Sequence, residues 1–115
     1  LKPLALFGTR FTMQSRFYPD ALEAAGIAVV LPTADEQAEI HDRYMNELVL
    51  GVFRPETRER LVAIARRLVE HERIDGLILG GTELPLILTD PTAVGVPLLD
   101  TGALHVDALV ARILA

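Results

Sequence analysis

The 115-residue chain contains no cysteine and no tryptophan, and its aromatic content is only 5%. Without a thiol the polypeptide has no disulfide, no cysteine-type metal site and no thiolate of its own, and its three scattered histidines lack zinc-site spacing. Basic side chains are outnumbered, 11 against 16 acids, for a formal charge of -5. That balance excludes non-specific nucleic-acid binding, which needs a basic face to neutralise phosphates. Apolar runs are broken by Gly, Pro or charge well short of the roughly 20 residues a membrane helix needs, so no membrane partner is expected. No basic-then-apolar leader opens the chain, and the expected location is cytoplasmic. Neither Gly-x-Gly-x-x-Gly nor a phosphate loop occurs, and Leu6-Phe7-Gly8-Thr9-Arg10 lacks the acids a magnesium-holding signalling domain carries after its first strand. Internal repeats, linkers and low-complexity segments are also missing.

Half of the residues are hydrophobic, and a chain of this length can bury roughly two thirds of its unfolded surface, so residues 1-115 are read as a single domain. Leu1 stands where a start Met would be, and an apolar run follows almost at once, as expected of a segment from a longer protein.

Short apolar strands are predicted at Leu4 to Gly8, Ile27 to Leu31, Gly76 to Leu79 and Val96 to Leu99. Between them, helices are predicted from Ser15 to Ala25, from a Thr33/Glu36 capping box through about Leu50, from Pro55 onward, from Glu83, and from about Ala103 to Leu114. Leu61, Ile64, Ala65, Leu68 and Val69 form an apolar stripe on the Pro55 helix. On its other side Arg58, Arg60, Arg66, Arg67 and Arg73 interleave with Glu56, Glu59, Glu70 and Glu72, which reads as a solvated face of mixed charge. Strands that are apolar throughout and alternate with helices imply an α/β fold: a three-layer, flavodoxin-like sandwich with a four-stranded parallel sheet. Ligands are expected at the carboxyl ends of its strands.

Two clusters fall at those ends. Gly76-Leu-Ile-Leu-Gly-Gly-Thr-Glu-Leu-Pro-Leu-Ile-Leu88 runs from strand to helix start: Gly80 and Gly81 allow a sharp turn and close approach to a ligand, Thr82 is a good N-cap, and Glu83 and Pro85 suit a first turn. Backbone amides there would face a small anion above the strand. Gly8-Thr9-Arg10-Phe11-Thr12-Met13 offers hydroxyls and a guanidinium; Thr9, Arg10 and Thr12 either contact a carboxylate or merely cap and turn, with Arg10 in solvent. Asp100-Thr101 reads more readily as a helix cap, His41 as a surface residue and His105 as structural.

The Gly76 to Leu88 segment resembles the signature of the aspartate/glutamate racemase superfamily, Gly-Cys-Thr-Glu-(Leu/Ile)-Pro-Leu, with the family's catalytic cysteine falling on Gly81. Gly-Thr-x-x-Thr at Gly8 to Thr12, Phe17-Tyr18, the stretch marked by Pro32, Asp35, His41, Glu47, Leu48 and Gly51, Arg58 after Thr57, and Asp100-Thr101 with His105 are similar to further family motifs, in order. The resemblance covers nearly the whole chain but only the C-terminal half of a two-domain family protein. It implies a cofactor-independent amino-acid racemase with no metal, in which one group from each domain flanks the substrate α-carbon. It places catalysis at Gly81, Thr82 and Glu83, and substrate binding at Thr9, Arg10, Thr12, Gly80 and Thr82. The implied partners are a small amino-acid or carboxylate substrate, an N-terminal racemase domain and a second copy in a homo-oligomer such as a dimer. Glycine has nothing to ionise, so the alternative is a racemase-like module that binds a small carboxylate without turnover. The isolated 115 residues are expected to be inactive.

Overall fold

A computed structural model describes residues 2–101. Four strands, β1 (Lys2–Phe7), β2 (Ile27–Val30), β3 (Gly76–Leu79) and β4 (Leu98–Asp100), form one sheet in the order β2-β1-β3-β4. All pairings are parallel, as the apolar strands require. Register aligns Phe7 with Leu79 and Leu79 with Asp100, so the chain leaves β1, β3 and β4 side by side at one edge. The first connection carries the chain from β1 to β2 on one side, and the next returns it across β1 to β3. The order therefore reverses between β1 and β3, the place where open α/β sheets leave a crevice for ligands.

Successive strand residues point to opposite faces and divide the core in two. Ala5, Phe7, Leu77 and Leu79 pack into a cluster with Ile40, Tyr44, Leu61, Ile64, Leu68 and Leu84. Leu4, Leu6, Ile78 and Leu99 join Leu22 and Ile27 on the other face. Helices α3 (Ala34–Asn46) and α4 (Pro55–Glu72) cover the first face, and α2 (Phe17–Glu23) covers the second. The layered α/β architecture read from the sequence is the one found.

Local chemistry explains the boundaries. At the start of α3 the Thr33 hydroxyl accepts from the Glu36 N–H while the Glu36 carboxylate accepts from the Thr33 N–H, completing the capping box. The helix ends at Asn46 rather than near Leu50; a 3-10 turn over Leu48–Leu50 follows, closed by Gly51 at φ 79°. The helix expected over Ser15 to Ala25 is found as α2, two residues shorter at each end, and an unforeseen short helix precedes it. A short α1 (Arg10–Gln14) stops at Ser15, whose extended backbone and hydroxyl, accepting from the Phe17 N–H at 3.1 Å, restart the chain as α2. One-turn helices α5 (Leu84–Ile87) and α6 (Pro91–Val94) lie between β3 and β4, the latter unforeseen, and β4 begins two residues later than predicted. The terminal helix predicted from about Ala103 to Leu114 lies outside the described residues.

The mixed-charge face of α4 is only partly solvated. Arg60 grips Glu39 through two hydrogen bonds of 2.8 Å, and Arg67 grips Glu36 in the same two-pronged manner. Thr57, fully buried, accepts from Arg43 and donates to Glu47. These pairs fasten α3 to α4 in antiparallel alignment, which fixes where the α3 side chains meet the sheet edge.

Candidate functional site

The loop after β1 is built around α1. Thr9 is its N-cap: the Thr9 hydroxyl accepts from the Thr12 N–H at 3.4 Å and lies 3.3 Å from the Thr12 hydroxyl. Capping, the plainer of the two readings, is thus what these threonines do within the fold. Arg10 is exposed, and its guanidinium has no hydrogen-bond or charge partner among the described residues. Its backbone N–H donates to His41 Nδ1 at 2.9 Å. His41 is therefore more than a surface residue; it ties α3 to the start of α1.

Beyond β3 the two glycines have different jobs. A Cβ on Gly80 would lie 2.9 Å from the Phe7 carbonyl and 3.0 Å from the Thr12 methyl, and one on Gly8 would lie 3.1 Å from the Gly80 carbonyl. Both positions must be bare for the ends of β1 and β3 to close together. The Gly80 N–H donates to the Phe7 carbonyl at 2.8 Å, so it is not a free ligand donor. This corrects the expectation that all amides from 80 to 82 face a ligand; those of Gly81 and Thr82 have no partner among the described residues. Glu83, not Thr82, is the N-cap of α5, and α5 is a single turn whose dipole is correspondingly small.

Gly81 opens onto Tyr44. A Cβ built there would lie 2.1 Å from the Tyr44 hydroxyl, 2.8 Å from Cζ and 2.9 Å from Cε2. Tyr44 reaches this place from α3 with its ring buried at 5% exposure, and its hydroxyl donates to Glu83 Oε1 at 2.5 Å. Thr82 Oγ1 donates to the same carboxylate oxygen at 2.9 Å. Burial, reinforced by the neighbouring carboxylate, pushes the Tyr44 phenol up to about 12. Hydrogen bonds from Tyr44 and then Thr82 hold Glu83 below the usual carboxylate range. At neutral pH the cluster is a neutral phenol hydrogen-bonded to an ionised carboxylate.

Helix α3 thus serves both loops from one face: His41 meets the β1 exit and Tyr44, three residues on, meets the β3 exit. Sequence reading missed Tyr44. Its one available signal was the three-residue spacing of His41 and Tyr44, which puts both on one face of α3. The other anticipated residues are dispersed. Thr101 Oγ1 caps the Leu79 carbonyl at 3.0 Å, Asp100 ends β4, and Arg58 lies on the outer side of α4 among Glu59, Val62 and Arg66. His105 lies outside the described residues. A hollow of about 560 Å³ on the β4 side, lined by Leu79, Pro85, Leu88 and Pro97 among others, contains none of the Tyr44, Thr82 and Glu83 groups. Asp100 lines this hollow, whereas Tyr44, Thr82 and Glu83 converge outside it. Among the described residues no His, Asp and Glu cluster could hold a metal ion, and no helix is long and apolar enough to cross a membrane.

Residues 1–109 match the Asp/Glu/hydantoin racemase family. The chain is also similar to the crystal structure of an Asp/Glu racemase candidate from Yersinia pestis, with TM-score 0.82 and 30% identity over 100% of this chain and 50% of that one. Similarity to an aspartate racemase homologue from Pyrococcus horikoshii OT3 is comparable, with TM-score 0.83 and 32% identity over 99% of this chain and 49% of the other. The chain spans about half the length of these relatives. The chain belongs to the Asp/Glu/hydantoin racemase family.

Proposed function

We propose that the chain is the C-terminal domain of a cofactor-independent amino-acid racemase of the aspartate/glutamate type and forms one wall of its substrate cleft. The observation that carries this reading is the pairing of opposite charges along the β1/β3 crevice. The Arg10 guanidinium, without a partner among the described residues, follows β1, and the ionised Glu83 carboxylate follows β3. A zwitterionic amino acid presents the complementary pair, its carboxylate toward Arg10 and its ammonium toward Glu83. Gly81 and Thr82, whose amides have no partner among the described residues, form the β3 exit and would face the α-carbon. Exposed apolar residues on the two exits, Phe11 at 84% and Leu86 at 63%, fit coverage by the second lobe of a two-domain protein or by another copy.

A second reading, carboxylate binding without turnover, is favoured by one feature: Gly81 has no side chain to take a proton. Deuterium incorporation at the α-carbon of aspartate, glutamate and a panel of other amino acids, measured with the full-length protein in D2O, separates the two. Incorporation above the enzyme-free rate is the expected result. Saturable binding with no incorporation would establish the module instead.

A further inference from the structure

Tyr44 combines properties that its packing role does not require. A phenylalanine would fill the same core position, yet a hydroxyl is present. It lies 2.1 Å from the point where a side chain at residue 81 would begin. Its proton is directed at Glu83 Oε1, 2.5 Å away, and no described donor engages the oxygen's lone pairs. Thr82 holds the accepting carboxylate oxygen from the other side. Hydroxyl, proton acceptor and acceptor support thus come from three residues on two elements and meet over a bare glycine at the sheet's switch point.

We propose that Tyr44 Oη, with Glu83 as its proton acceptor, is the acid–base group on this wall of the cleft; the proposal rests on the racemase reading above. In the forward step the substrate Cα–H bond breaks and its proton bonds to Tyr44 Oη. In the same motion the phenolic proton passes to Glu83 Oε1. The C–H electron pair remains on the α-carbon, delocalised into the adjoining carboxyl group, and the negative charge moves from Glu83 to the substrate. No phenolate is formed, which suits a phenol held near 12 by burial. Running the step backwards returns a solvent-exchanged proton to the same face. Thr82 is a positioning residue, since it acts through Glu83.

The test uses the full-length protein in D2O, following α-proton loss from each enantiomer separately by NMR. Because one group serves one face, Tyr44→Phe and Glu83→Gln should each slow loss from one enantiomer about 100-fold. At saturating amino acid, where a weaker contact between residue 83 and the substrate ammonium no longer limits the rate, loss from the opposite enantiomer, deprotonated from the other wall, should stay within about threefold of wild type. Glu83→Gln keeps a hydrogen-bond acceptor for the phenol, so it carries the test alone if Tyr44→Phe does not fold. Equal slowing for both enantiomers, or no slowing for either, would overturn the assignment while leaving the racemase reading intact. A wild-type protein that exchanges no amino acid would remove both.

Discussion

Replacing Gly81 by alanine adds one methyl group where the structure has a hydroxyl. The new Cβ would meet the Tyr44 oxygen at 2.1 Å, and the next ring atoms at 2.8 and 2.9 Å, distances that no rotation of the methyl can relieve. Gly81 is not in the left-handed region, so the backbone itself accepts alanine. On that count Gly81→Ala gains about 0.4–1 kcal/mol by restricting the unfolded chain. Against this, the Tyr44 ring must swing off Glu83, losing a hydrogen bond to a charged group that contributes about 1.5–3 kcal/mol. The net prediction is a loss of about 1–2 kcal/mol in the presence of Tyr44. In a Tyr44→Ala background the obstruction is gone, and the same substitution should stabilise by about 0.4–1 kcal/mol. Urea unfolding of the four proteins of this cycle, read at constant m, measures the sign in each background. If Gly81→Ala has the same effect with and without Tyr44, the hydroxyl does not occupy the space over residue 81, and the description of the site is wrong.

Two further outcomes follow from the charges. Glu36 is pulled upward by burial, yet the Arg67 hydrogen bonds and the Thr33 N–H outweigh this and leave it below its ordinary 4.5; Arg60 lowers Glu39 likewise. A carboxylate with a depressed folded-state value contributes stability that is complete above the unfolded value and is lost as pH falls through the folded one. The urea midpoint should therefore hold near pH 6 and decline below about 4.5, and the decline should be shallower in a Glu36→Gln, Glu39→Gln protein; an equally steep fall in that variant would refute the assignment. Arg10→Ala should weaken amino-acid binding roughly tenfold or more in calorimetry, by removing the cation for the substrate carboxylate, with little change in the unfolding midpoint because Arg10 is exposed and unpartnered. Unchanged affinity would move the carboxylate site elsewhere.

Much of this architecture was legible because its signals are local. Thr33 and Glu36 announce a helix start through their own hydrogen bonds, the α4 stripe announces its buried face, and the uninterrupted Gly76 to Leu79 run announces a strand covered on both sides. Helix α1 was missed because it is a single short stretch whose defining bond, from the Thr12 N–H to the Thr9 hydroxyl, is equally what a capped turn would make. Both glycines of the β3 exit were read as part of one site, but they differ through long-range contacts: Phe7 and Thr12 crowd Gly80, whereas Tyr44 crowds Gly81. Tyr44 and Glu83 lie 39 residues apart in the chain. Periodicity places Tyr44 in the core; only the tertiary fold places its oxygen on Glu83. The charge pattern of α4 misled for a similar reason, since Glu36 and Glu39, the partners of Arg67 and Arg60, belong to another helix.

The claim on which the rest depends is that a small amino acid binds across the β1/β3 exits. Titration of aspartate and glutamate into the 15N-labelled full-length protein, observed through backbone amide shifts, addresses it directly. Saturable shifts should concentrate at Arg10, Thr12 and Gly81 through Glu83, with Tyr44 responding through its hydrogen bond to Glu83. Saturable shifts centred instead on the hollow around Pro85, Leu88 and Pro97, with those amides unmoved, would contradict it.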